Sequence, residues 1–141
     1  MKRKISLSMC CIAAFSVLIT ALMISLVLYN RNYKNMTNYI QNEAEYMAAA
    51  MNYNGVEYLD SVKDVSPSRI TWIANDGNVI FDNSGKKMEN HSDRSEFKEA
   101  IKSGIGESSR LSETLGKKTY YYAILMNDGT VLRISDTTSS I

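Results

Sequence analysis

Arg69 to Asp82 reads RITWIANDGNVIFD, two apolar runs around Asn75-Asp76-Gly77. Ile70, Trp72 and Ala74 alternate with Thr71 and Ile73, and Val79 and Phe81 with Ile80, the period-two pattern of strands. Asp-Gly supplies the positive-φ residue that a short hairpin turn needs at little steric cost. Both faces of this hairpin carry apolar side chains, so each needs a cover. The remainder of the chain is expected to provide both.

Downstream, Asn83 to Asp93 is polar and contains Gly85, a loop in which Ser92 or Asp93 is placed to cap the next helix. Ser95 to Ser103, SEFKEAIKS, sets Phe97, Ala100 and Ile101 on one helical face and stops at Gly104. Glu107 to Leu115 has only Leu111 and Leu115 as apolar anchors and is expected to be an edge strand, with Gly116-Lys117 as the turn after it. Thr119 to Met126, TYYYAILM, is apolar on both faces: Tyr120, Tyr122, Ile124 and Met126 on one, Tyr121, Ala123 and Leu125 on the other. Such a run belongs inside a covered sheet. Asn127-Asp128-Gly129 repeats the earlier turn, and Thr130 to Ser135 supplies a fifth strand with Leu132 and Ile134 inward. The order predicts an α+β fold with a five-stranded antiparallel sheet.

Upstream, Ile5 to Tyr29 contains no charged residue. At about 1.5 Å per residue this run exceeds a hydrocarbon core of roughly 30 Å, so it is expected to cross a membrane. A cleaved leader has a shorter apolar core and a small-residue cleavage site, which TALMISLVLYN does not offer. Cys10 and Cys11 lie within the run, where they give neither a disulfide framework nor metal-ligand spacing, and Met9 does not suit a lipoprotein site. Lys2, Arg3 and Lys4, against the weaker Arg31 and Lys34, place the amino terminus in the cytoplasm and everything after Asn30 outside it. From Asn30 to Asn52 no Pro or Gly occurs, and Tyr33, Met36, Ile40, Ala44, Met47 and Met51 form one helical stripe. That stripe packs either on the domain's own sheet or on a second chain as a coiled coil, and different turns can do each. Asn54-Gly55 ends the helix, and Val56, Leu59 and Val62 give a short second one before Ser66-Pro67.

The expected layout is therefore a cytoplasmic tail (1–4), a membrane helix (5–29), a helical stalk and connector (30–68), an outer sheet (69–135) and a tail (136–141). Formal net charge is +1, and three of the positive charges sit at the extreme amino terminus. No basic field for nucleic acid remains.

Four phrases fall in order: RITWIANDGNVIFDN from Arg69, MENHSDRSEFKEAI from Met88, GIGESSRLSETLGKKTYYYA from Gly104 and GTVLRIS from Gly129. In wording and architecture the chain resembles the extracytoplasmic PAS-like sensor domains, also called PDC or Cache-like, of bacterial membrane histidine kinases. It is most similar to the phosphate-regulon class. The resemblance implies a membrane anchor, a long signalling helix, a ligand or regulatory surface on the sheet, and a partner copy. The phosphoacceptor His and ATP-binding lobe of those kinases have no counterpart, since His91 is the sole histidine and lies in the outer domain. The chain itself is thus expected to be no enzyme and to need no cofactor. A free-standing anchored protein that pairs with a full receptor through its stalk is the alternative function.

Arg94 opens the short helix and Arg110 sits in the sparse strand after it, so both are candidates to meet a small anionic ligand between helix and sheet. An internal ion pair with Asp93, Glu96 or Glu113 is the competing role. His91 either braces the loop together with Asn90 and Asp93 or senses ligand or pH. Tyr120 and Tyr122 are candidate pocket walls, with core packing as their other reading. Asp76, Asp82 and Asp128 are turn or strand-end residues, not a clustered metal-ligand set.

Overall fold

The computed structural model describes residues 2–112 and 117–138. In order, the elements are α1 (Lys2–Asn54), α2 (Glu57–Val62), β1 (Arg69–Ile73), β2 (Val79–Asp82), α3 (Ser95–Ser103), β3 (Ile105–Ser112), β4 (Lys117–Leu125) and β5 (Val131–Thr137). The chain divides into two compact units, one up to Asn35 and one from Met36 onward. In the first, the large apolar side chains from Ile5 to Tyr29 stand exposed. α1 is long and apolar enough to cross a membrane, and a bilayer is the medium that such a surface suits.

The second unit is built on one antiparallel sheet in the order β2-β1-β5-β4-β3. β5 is central because its residues are apolar or paired on both faces, and Val131 to Ser135 are all buried. Ile70, Tyr120, Tyr122, Leu132 and Ile134 point to one side, where Ile40, Ala44, Met47, Ala48 and Met51 of α1 and Leu59 of α2 cover them. From Met36 to Met51 the stripe on α1 therefore packs on the chain's own sheet. Ile73, Ala123 and Val131 point to the other side and meet Phe97 and Ala100 of α3. Each fully buried aliphatic side chain here contributes about 1.5–3 kcal/mol by leaving water.

Turn chemistry sets the connections. Gly77 and Gly129 take φ of +89° and +84° in the two Asn-Asp-Gly turns, and Asp76 and Asp128 each accept a backbone N–H two residues on. The Asn75 amide donates to the Gly129 carbonyl at 3.0 Å, tying one turn to the other. Gly104, at φ +91°, ends α3.

Several boundaries differ from expectation. β3 begins at Ile105, two residues early, because Ile105 and Gly106 already pair with Ile124 and Ala123. β5 runs on to Thr137, since Asp136 and Thr137 still pair with Tyr120 and Thr119. Neither Ser92 nor Asp93 caps α3: the N-cap is Arg94, with extended backbone and no side-chain cap bond. Lys117, expected in a turn, opens β4 and pairs with Ser112, whereas Gly116, the Leu115 anchor and Glu113 lie outside the described residues.

α3 sits so close to β3 that a Cβ on Gly106 would strike the Glu96 carbonyl oxygen and the Ala100 backbone nitrogen. Gly106→Ala should therefore push α3 off the sheet and cost about 1–3 kcal/mol, measured as a lowered thermal midpoint of the domain's far-UV circular dichroism.

Candidate functional site

The face of the sheet beneath α3 carries a polar cluster inside an apolar frame. Strand register builds it: Thr71 of β1 lies opposite Asp82 of β2 and Arg133 of β5, and Tyr121 of β4 lies opposite Ser108 of β3. α3 lowers Glu96 onto this row, one turn before Ala100 on the same buried stripe.

Glu96 is fully buried and uses both oxygens. Oε1 accepts from Arg133 Nη1 at 3.0 Å, and Oε2 accepts from Ser108 Oγ at 2.7 Å and from Arg110 Nη2. Burial alone would raise its pKa, but the bonds from Arg110 and Ser108 outweigh burial and hold it at about 2. Arg133 Nη2 also donates to Thr71 Oγ1 at 3.3 Å. Thr71 in turn donates to Asp82 at 2.9 Å, and Asp82 also pairs with Arg69 at 3.1 Å. The Tyr121 ring lies under two guanidinium groups, 4.3 Å from Arg110 and 5.0 Å from Arg133, a stacking that favours cations.

His91, 4% exposed, joins from the loop before α3. Its backbone N–H donates to the Gly77 carbonyl at 2.7 Å and its carbonyl accepts from the Arg94 backbone N–H at 3.0 Å, while the Asn90 amide reaches the Asp76 carbonyl and Asn78. The loop is thus pinned to the first hairpin turn. Burial, followed by the charges of Arg133 and Arg94, pushes the His91 pKa below its usual 6.5. His91 Nδ1, Arg94 Nε and Arg133 Nε are all buried without a hydrogen-bond partner. Among the described residues, the Arg94 guanidinium has no carboxylate partner.

Three of the residues singled out from sequence, His91, Arg94 and Arg110, therefore come together on the α3 side. Arg110 takes the ion-pair role, with Glu96, while Arg94 keeps free donors. Tyr120 and Tyr122 do not belong with them: strand alternation turns both to the α1 side of the sheet. There Tyr120 Oη donates to Glu107 at 2.6 Å and accepts from Gln41 at 2.9 Å, and burial followed by its bond to Glu107 raises its pKa. Tyr121 is the tyrosine at the cluster. Arg133 and Thr71 were not singled out from sequence, although a cation at an inward position of VLRIS, with Glu96 on the stripe of SEFKEA, carried the signal. No group of three or more His, Cys, Asp or Glu suited to a metal occurs among the described residues.

Residues 30–133 match the sequence profile of the single Cache-like family. The chain belongs to that family. Single Cache-like domains are extracytoplasmic PAS-like sensor modules of signalling proteins, and the helix-covered antiparallel sheet here has that architecture. Comparison with curated proteins gives no match, and neither does comparison with solved structures.

Two of the shifted groups of this single Cache-like domain, His91 and Glu96, make acid destabilising. The unfolded chain takes a proton on His91 that the fold resists, so stability falls as pH drops below 6.5. A second loss comes between pH 4.5 and about 2, where unfolded but not folded Glu96 is protonated. In thermal melts against pH, His91→Gln should remove the first step. Glu96→Gln should remove the second and cost about 3–5 kcal/mol at neutral pH by stranding buried arginine charge.

Proposed function

We propose that this chain is the extracytoplasmic sensing and dimerisation module of a two-component sensor histidine kinase of the phosphate-regulon class. It would receive a small anion at the arginine cluster and pass the signal through α1 into the membrane. Its own groups recognise rather than turn over, and its partner is a second copy or a receptor engaged through the stalk part of α1. The amino terminus is cytoplasmic and the sheet outside.

The observation that carries this reading is the excess of arginine over carboxylate on the α3 side, with Arg133 buried and Arg69, Arg94 and Arg110 half-buried. Arg69, Arg94, Arg110 and Arg133 face two carboxylates, Asp82 and Glu96, and both carboxylates are already saturated. A buried donor without a partner is costly, and an anion seated on the Nε edges of Arg94 and Arg133 would satisfy both. Such a ligand biases α1 only by binding two arrangements of the domain with different affinity. Asn83 to Arg94, pinned by His91 and Asn90 to the first turn, is the segment that the anion would draw in.

Two measurements test the reading. Acetate, succinate and phosphate, each compared with chloride at matched ionic strength, should raise the melting temperature of the protein, and Arg94→Ala should abolish the rise; anions without effect would remove the ligand part. A blot of source membranes with an antibody against residues after Arg69 should show a band several-fold heavier than 15.9 kDa. A band at 15.9 kDa would remove the kinase part and favour the anchored partner protein.

A further inference from the structure

On the other side of the sheet, α1, α2 and the segment leading into β1 enclose an open groove of about 500 Å³, within the size range of small-molecule sites. Its walls are mostly apolar and include three tyrosines, Tyr39 and Tyr46 from α1 and Tyr58 from α2, with Val62 beside them. Glu43 is the single charged residue among its lining side chains. Tyr39 and Tyr46 are seven residues apart, so α1 presents both on one flank, with Glu43 between them.

Glu43 is held in place rather than neutralised. Its two oxygens accept from Ser66 Oγ at 2.7 Å and Ser68 Oγ at 2.5 Å, and no Lys or Arg pairs with it among the described residues. The carboxylate lies close enough to Tyr39 to be the main cause of that phenol's raised pKa, ahead of burial. A half-buried, oriented negative charge in an aromatic groove has the chemistry of a cation receptor: ring faces and carboxylate both attract positive charge, and the apolar wall takes the alkyl groups.

We propose that this groove binds an organic cation, a protonated or quaternary amine, with its charge over Tyr39, Tyr46 and Tyr58 and against Glu43. The site is independent of the arginine cluster, since the sheet separates them and their charges are opposite. Its occupant touches α1, α2 and the lead into β1 at once, so it fastens the long helix to the start of the sheet.

The test uses the full chain in dodecyl maltoside, which carries no ammonium group, titrated calorimetrically with choline and with its neutral isostere 3,3-dimethyl-1-butanol. Choline should bind about tenfold more tightly than the alcohol. Tyr46→Ala should weaken choline roughly fivefold and Tyr46→Phe should restore it. Tyr46 is 77% exposed, so neither change threatens the fold. Glu43→Gln should equalise the two ligands. Equal binding of choline and the alcohol, no binding of choline, or choline binding indifferent to Tyr46→Ala would each overturn the proposal. In nanodiscs, loss of free-choline binding in phosphatidylcholine but not in phosphatidylglycerol would assign the groove to a lipid headgroup. Retention in both would assign it to a soluble amine, and either result upholds a cation site.

Discussion

One carboxylate keeps α3 on the sheet. Glu96 reaches Arg133 on the central strand and Arg110 and Ser108 on the edge strand, so a single side chain spans the width from β5 to β3. Buried ion pairs seldom stabilise a fold beyond what apolar packing would achieve, but they fix geometry, because any displacement leaves charge unsolvated. Gly106 completes that geometry by admitting the helix backbone where a side chain would block it. Stacking of Tyr121 on both arginines, and Thr71 bridging Arg133 to Asp82, extend the same constraint across the sheet.

The two faces of the sheet have different chemistry for a simple reason. α1 offers methionine, alanine and isoleucine, which seal the strands they cover, with polar links at the margin that include Gln41 to Tyr120, Asn52 to Asn127, and Glu43 to Ser66 and Ser68. α3 is nine residues long and covers less, which leaves room under it for groups that need polar partners. The face that holds the membrane-directed helix is thus packed for stiffness, and the face beneath α3 holds the cationic excess.

Much of this was legible in the residues. Strict alternation in RITWI and TYYYAIL assigned each side chain to its face, and the repeated Asn-Asp-Gly turns marked two of the strand connections. Cluster membership was less so. Tyr120 and Tyr122 have the amphipathic character of pocket walls, yet the parity of β4 turns them to the α1 side, away from the arginines. Arg133 is harder to place: in VLRIS one charge among apolar residues resembles an outward position, and only the strand order, which places β5 in the middle, makes both of its faces interior. Strand order depends on contacts distant in sequence, and no local pattern encodes it. The cap of α3 failed similarly, since the chain between Asn90 and Arg94 is held by the first hairpin turn and not by its own hydroxyl or carboxylate groups.

The central place of β5 governs how the domain is assembled in time. β1 with β2, and β3 with β4, are each formed from neighbouring segments, but the two pairs do not touch one another in the sheet. β5 comes after both in the chain and is the strand that joins them, bringing Arg133 beneath α3. Until it arrives, Ile70, Trp72 and the tyrosines of β4 have exposed edges beside them. The β4–β5 pair is closed locally by the Asn127-Asp128-Gly129 turn, so the pairing of β5 with β1 is the long-range step and carries the loop-closure entropy. A chain stalled before Val131 would present two unjoined hairpins, the form most open to proteolysis and mispairing.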